Sequence, residues 1–355
     1  MPRLLQLLAA LALLAAPAPA ATGARVELKV DTAQAEAVLD LVEKHAVGTA
    51  PAESDWERLF STEPYLRLER REASLGRPFS RDDFRGFALS PDLAARAPAL
   101  RRTLEAWRRA DLDGAAGRIL PYLPVEARIR ARVYPVIKPR SNSFVFEVAT
   151  DPAIFLYLDP GKSEAEFANT VAHELHHVGL ASLSSAIEER LRALPDHARQ
   201  AASWMGAFGE GVAVLAAAGA ADVHPLLAFP EADRRRWDQD LESFDQNLGQ
   251  LDRFFLDLVS GGFARPEVAD HVAFTFFGYR GPWYTVGYRM AAIVERRLGR
   301  AALVECMADP RLLLVRYNQV AAETNASGGP SLPLWSAELL SAVGAAGGAP
   351  GSVKP

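Results

Sequence analysis

Apolar residues recur at helical spacing along most of this chain and give way to strand-like alternation in one short stretch only. Between residues 21 and 124 the pattern is mainly helical: Asp31 to Lys44 carries apolar positions behind an Asp or Thr cap, and Pro91 to Ala110 repeats it with Leu93, Leu100, Leu104 and Trp107. Three short runs follow, over 130–137, 143–148 and 153–158, each bounded by Pro, Asn, Ser or Asp and each reading as a strand. Ser163 and Glu166 then form a capping-box pattern, which predicts a helix from about Glu164 with Gly179 as its stop. Helical patterning continues over Ser184 to Leu194, Val214 to Ala216, Glu231 to Ser260, Met290 to Leu298, and Leu298 to Thr324 with a break at Pro310. The expected fold class is α+β, predominantly helical, with a small sheet ahead of the helix that starts near Glu164. The tail over 344–355 is rich in Gly, Ala and Pro and is expected to be disordered.

The helix beginning near Glu164 carries the chemistry. Phe167, Ala168, Val171, Ala172, Leu175 and Val178 cluster on one arc, while His173 and His177 fall on the opposite arc with Glu166 and Thr170. Two histidines four apart lie about 40° from each other around a helix axis and can close on one metal ion. Glu174 sits beside the first, as H-E-x-x-H, where it can act as general base toward a metal-activated water. Zinc needs at least one more protein ligand and an open position. Leu180 and Leu183 occupy the places where a metzincin continuation would carry its glycine and third histidine, so that route is excluded. The strongest candidate is Glu210 in Gly209-Glu210-Gly211-Val212-Ala213, a carboxylate between two glycines whose backbone is open to close approach by another element. Glu188 and Glu189 read instead as a solvated helix face. His176, about 100° from His177, is expected at the surface or behind the ligands rather than on the metal.

With these residues the chain resembles the gluzincin metallopeptidases, in which a glutamate on a later helix completes H-E-x-x-H, and Glu210-Gly211-Val212-Ala213 looks like their E-G-x-A segment. It is also similar to a group of exported bacterial proteins described as zinc-dependent peptidases. Tyr279-Arg280-Gly281-Pro282-Trp283-Tyr284-Thr285-Val286-Gly287 resembles the paired-tyrosine stretch of leukotriene-hydrolase-type aminopeptidases. That resemblance implies Tyr284 as the donor to the tetrahedral oxyanion; on the residues alone, Tyr279, Tyr288 and His271 compete with it. The likeness covers about residues 128 to 310 and implies a zincin-like catalytic domain over 125–343. Departures are the missing G-x-M-E-N segment, which removes support for exopeptidase action, a longer spacer from His177 to Glu210, and an apolar Val214 where many gluzincins place an acid.

Composition narrows the remaining classes. The 355 residues are 49% hydrophobic and 23% charged, enough for a sizeable core, and a net charge of −5 gives no electrostatic footprint for nucleic acid. Residues 1–20 read as a signal peptide: Arg3, an apolar run from Leu4 to Ala16, then Ala18-Pro19-Ala20. This predicts an exported protein, periplasmic or secreted, with no membrane span in the mature chain. Cys306, the only cysteine, excludes an internal disulfide, and its apolar neighbours predict a buried thiol. The expectation is a peptidase with one Zn²⁺ per chain, held by His173, His177 and Glu210, with Glu174 and Tyr284 catalytic, acting on a peptide or protein. Two other classes stay open: an inactive zincin scaffold that binds peptides, and a zinc hydrolase with a non-peptide substrate. Oligomeric state and substrate preference are not legible in this pattern.

Overall fold

The structure, a computed structural model, describes residues 25–263, 265–277 and 281–345. The signal-peptide reading over 1–20 and the tail beyond Ala345 lie outside the described residues. The described chain is mostly helical around one small mixed sheet, as expected for α+β.

Four strands form the sheet: β1 (Val26–Val30), β2 (Ile129–Val136), β3 (Phe144–Phe146) and β4 (Ala153–Tyr157), in the order β1-β2-β4-β3. β1 and β4 run parallel to β2, with Val26 beside Ile129 and Arg132 beside Ala153; β3 is antiparallel to β4, with Phe144 opposite Phe155. Alternation along the strands explains the two faces. Ile129, Ala131, Val133, Ile154 and Leu156 enter the main core. Tyr134, Val136, Ala153 and Phe155 point the other way into a smaller cluster with Leu68 and Phe144, where the Arg71 guanidinium lies 3.5 Å from the Phe144 ring centre. Three of these strands are those read from the sequence: β2 is shifted by one residue, β4 ends one residue sooner, and β3 keeps only the middle of its run. β1 is an element that the mainly helical reading of 21–124 did not include. Its five residues pair in parallel with a strand a hundred residues away, so no local turn announces it.

Six helices follow β1: α1 (Ala33–Ala46), α2 (Glu53–Phe60), α3 (Glu63–Ser74), α4 (Arg81–Ala88), α5 (Pro91–Arg108) and α6 (Leu112–Ile119), which leads through a 3₁₀ turn, Leu120–Tyr122, into β2. Arg67 of α3 is buried and is neutralised by Glu147 and Asp151 from the β3–β4 connection, which ties that helix to the sheet. After β4 come α7 (Glu164–Ala181), α8 (Ser184–Arg192), α9 (Asp196–Met205), a 3₁₀ turn (Gly206–Phe208) and α10 (Gly209–Ala218). The remainder is α11 (Glu231–Glu242), α12 (Phe244–Ser260), α13 (Pro266–Thr275), α14 (Pro282–Leu298), α15 (Arg300–Ala308), α16 (Arg311–Ala326) and α17 (Ala337–Ala342). The helical pattern read over 231–260 is carried by two helices, divided at Ser243, and the break at Pro310 falls between α15 and α16. Cys306 is buried, as expected.

The run Asp196–Ala218 is apolar and long enough to cross a bilayer, but most of it is buried inside the protein. α10 is the central helix of the core: all of its residues but Gly209 and Ala218 are buried, Glu210 among them. It packs between α7 and α14, and this sandwich builds the site.

Candidate metal centre

The zinc-type motif stands on α7, and its local sequence explains the helix. The Ser163 hydroxyl accepts from the Glu166 amide at 3.1 Å while the Glu166 carboxylate accepts from the Ser163 amide at 2.8 Å, the reciprocal capping box the sequence implied. Phe167, Val171, Ala172, Leu175 and Val178 are buried as the inner arc. Gly179 does not end the helix, which continues to Ala181. It is buried, and a Cβ there would lie 2.4 Å from a Leu123 methyl and 3.3 Å from Ile129, so this glycine lets α7 sit closely on the segment entering β2.

Across from the inner arc, the His173 and His177 rings meet edge to face, with Nε2 atoms 3.0 Å apart. Glu210 Oε2, carried in by the first turn of α10, is 3.2 Å from each Nε2. Three donor atoms with edges of 3.0–3.2 Å approach the roughly 3.3 Å separations of a tetrahedral zinc with bonds of ~2.0–2.1 Å. The two imidazoles and one carboxylate match a catalytic zinc set that leaves a position open, and among the described residues this is the one His/Cys/Asp/Glu group that closes in this way. Glu188 and Glu189 are exposed on α8 and take no part.

Without a cation, the cluster stores its charge in the chain. Burial by itself would lower the His177 pKa, but the Glu210 carboxylate outweighs it and raises His177 to about 9. Burial favours the neutral form of Glu210, yet the two histidines hold its carboxyl far below the usual range. Glu174 differs: burial, helped by Glu210 and opposed by His173 and His177, raises its pKa.

Two polar atoms at the site are buried and have no hydrogen-bond partner: Glu174 Oε2 and the Tyr284 hydroxyl. Buried polar atoms without partners are uncommon and call for an explanation. The Tyr284 ring lies nearly parallel to that of His173, with centroids 6.3 Å apart. Burial first, then the nearby Glu210 and Glu174 carboxylates, push its pKa well above the ordinary value, so the phenol keeps its proton to donate. Two of its competitors are elsewhere. Tyr288 packs edge-on against Trp237 in the core, His271 is exposed on α13, and Tyr279 lies outside the described residues.

Of the two places expected for His176, the structure removes the surface one: it is fully buried and is not among the three clustered donors. Burial foremost, then the neighbouring His177 and His173, lower its pKa to about 3. It is therefore a neutral ring, facing the Tyr122 carbonyl, although neither nitrogen makes a well-formed hydrogen bond.

Sequence reasoning did not foresee how α10 meets α14. A Cβ on Gly211 would stand 2.0 Å from the Tyr288 nitrogen and 2.6 Å from the Tyr284 carbonyl oxygen; one on Gly287 would stand 2.6 Å from the Phe208 carbonyl oxygen. The two helices touch backbone to backbone. The signal was present in the glycine after Glu210, read as room for another element without saying which. An apolar cavity of about 70 Å³, lined by Leu180, Met205, Gly209, Val212, Cys306 and Met307 among others, abuts the faces of α10 turned away from Glu210 and is separate from this centre.

The family described as "Putative zinc dependent peptidase (DUF5700)" has a model that matches residues 56–326, a span holding His173, Glu174, His177, Glu210 and Tyr284. No curated protein and no solved structure matches the chain.

Proposed function

This chain belongs to the DUF5700 family, and we propose on that premise that it is a zinc peptidase of zincin-like fold, exported, with its catalytic domain over 125–343. The observation that carries the reading is the convergence of the His173, His177 and Glu210 donors beside two buried, unpartnered groups of opposite function, the Glu174 carboxylate and the Tyr284 phenol. Zinc held by the three donors would supply the Lewis acidity that activates water and polarises the scissile carbonyl.

The chain's own residues supply the rest. Glu174, buried and with a raised pKa, takes the proton of the attacking water and returns it to the leaving amine. Its burial favours holding the proton between those two transfers. Tyr284, protonated and near the Glu210 carboxylate without a well-formed hydrogen bond to it, donates to the oxygen on which negative charge develops. His173 and His177 are oriented by the one-turn spacing on a capped helix, and Glu210 by the packing of α10. A peptide substrate is favoured by β3, one of the two edge strands, whose unpaired side can take up an extended backbone. Ser143, just before β3, and Thr170, one turn before Glu174, line the same narrow crevice, so the start of β3 lies near the zinc helix.

The test is cleavage of a diverse peptide library by purified protein, with metal analysis. About one zinc per chain is expected, with cleavage lost on chelation and restored by zinc. Zinc bound with no cleavage would favour a peptide-binding scaffold, and turnover of esters or epoxides alone a non-peptide hydrolase.

Zinc uptake should also depend on pH. In the metal-free chain His177 holds a proton up to about pH 9, so zinc must displace it, and apparent affinity should rise about tenfold per pH unit below that point. The stability sign is the reverse. A folded pKa raised from 6.5 to about 9 gives a contribution that is fully present below pH 6.5 and lost as pH rises through 9. The melting temperature of the chelated protein should fall across that window while that of the zinc-loaded protein holds; a flat profile for the chelated protein would contradict the His177–Glu210 coupling.

A further inference from the structure

Resting on the reading of Tyr284 as oxyanion donor, we propose that the Gly211–Gly287 crossing is the positioning device that sets the Tyr284 hydroxyl against the metal-binding triad. Gly211 directly follows Glu210, and Gly287 lies one turn after Tyr284 on the same helix. The contact therefore joins the backbone beneath the carboxylate ligand to the backbone beneath the phenol with no side chain between them. Tyr284 takes part in the contact itself, since its carbonyl oxygen is among the atoms a Cβ on Gly211 would strike, at 2.6 Å. Gly287 meets the Phe208 carbonyl oxygen at 2.6 Å and the Gly211 Cα at 3.3 Å from its own would-be Cβ.

The neighbouring glycine of the same run, Gly206, shows the contrast: a Cβ there meets nothing within 4 Å. Glycine is needed at the crossing and not merely tolerated along the helix. Adjoining helices normally pack at about 8–10 Å, with side chains setting the distance. Here the backbones set it, which removes side-chain rotamers from the link between donor and ligand. A methyl group at either glycine has to part α10 and α14 by about 1 Å, because interiors packed at crystal density have no slack to absorb it. A misplacement of that size is worth about a hundredfold in rate, comparable to removing one oxyanion donor outright.

The experiment is a cycle of Gly287→Ala and Gly211→Ala, each made in the wild type and in Tyr284→Phe, measured for kcat, KM, zinc content and melting, with Gly206→Ala as control. Gly287→Ala should lower kcat about a hundredfold at full zinc occupancy with KM nearly unchanged. In the Tyr284→Phe background the same change should cost less than about threefold more, because the group it displaces is already gone. Gly211→Ala, with the shorter contacts, should do more, and Gly206→Ala nothing. Equal losses in both backgrounds would overturn the positioning alone. Full activity in Tyr284→Phe would remove the oxyanion role and this proposal with it. Loss of zinc or of cooperative melting in both alanine variants would assign the pair to the core and also overturn it.

Discussion

Glu174→Gln should retain zinc and lose peptide hydrolysis by about 10³-fold, the middle of the range that general acid–base groups contribute. The geometry separates its two properties. Glu174 is not one of the three mutually close donors; those are His173, His177 and Glu210. Its Oε2 is buried without a partner, and burial already disfavours its charged form. Glutamine has nearly the same shape and also fills the space, but it cannot take a proton from water or return one to an amine. Stability should therefore hold, or rise slightly, because a buried ionisable group has been replaced by a neutral one. Metal analysis, a melting curve and kcat on a single peptide decide the matter. Zinc lost together with activity would make Glu174 a ligand and remove the proposed base.

Glu210→Ala should empty the site. Replacing residues that only support metal ligands typically costs about 10–100-fold in affinity, so removing a ligand should cost more than that. The two imidazoles that remain would also lose the carboxylate that raises His177, whose pKa should fall back from about 9. Two effects then follow from one substitution. Zinc content should drop from about one per chain toward zero after dialysis, and the pH dependence of metal-free melting between 6.5 and 9 should disappear. Glu210→Gln, which keeps an oxygen but not the charge, should fall between. Retained zinc in Glu210→Ala would move the third ligand elsewhere, though not to Glu188 or Glu189, which α8 exposes to solvent. The surrounding helix should survive, because Val212, Ala213, Leu215 and Ala216 keep it in the core.

These predictions rest on residues that were legible to different degrees. The α7 helix was written locally: a cap at Ser163 and Glu166, an apolar arc, and two histidines one turn apart all lie within eighteen residues. Glu210 was legible as an acid between glycines, and three strands by alternation and turn residues. β1 was not, since its partner is a hundred residues away and its exposed edge breaks the pattern. Nor was the burial of His176, whose ring faces the Tyr122 carbonyl from a 3₁₀ turn more than fifty residues earlier in the chain.

By itself the sequence determined the zinc-type motif, the helix that presents it, the α+β character of the chain and the short list of partners for the metal. Periodicity and capping act over a few residues, and the local order of side chains states them completely. Only the tertiary structure decided that Glu210 reaches both histidines, that Tyr284 and not Tyr288 or His271 stands beside them, and that α10 and α14 meet on bare backbone. Those facts depend on how helices separated by tens of residues cross. That crossing is settled by the close packing of the whole core, in which Gly211 and Gly287 count for the side chains they lack.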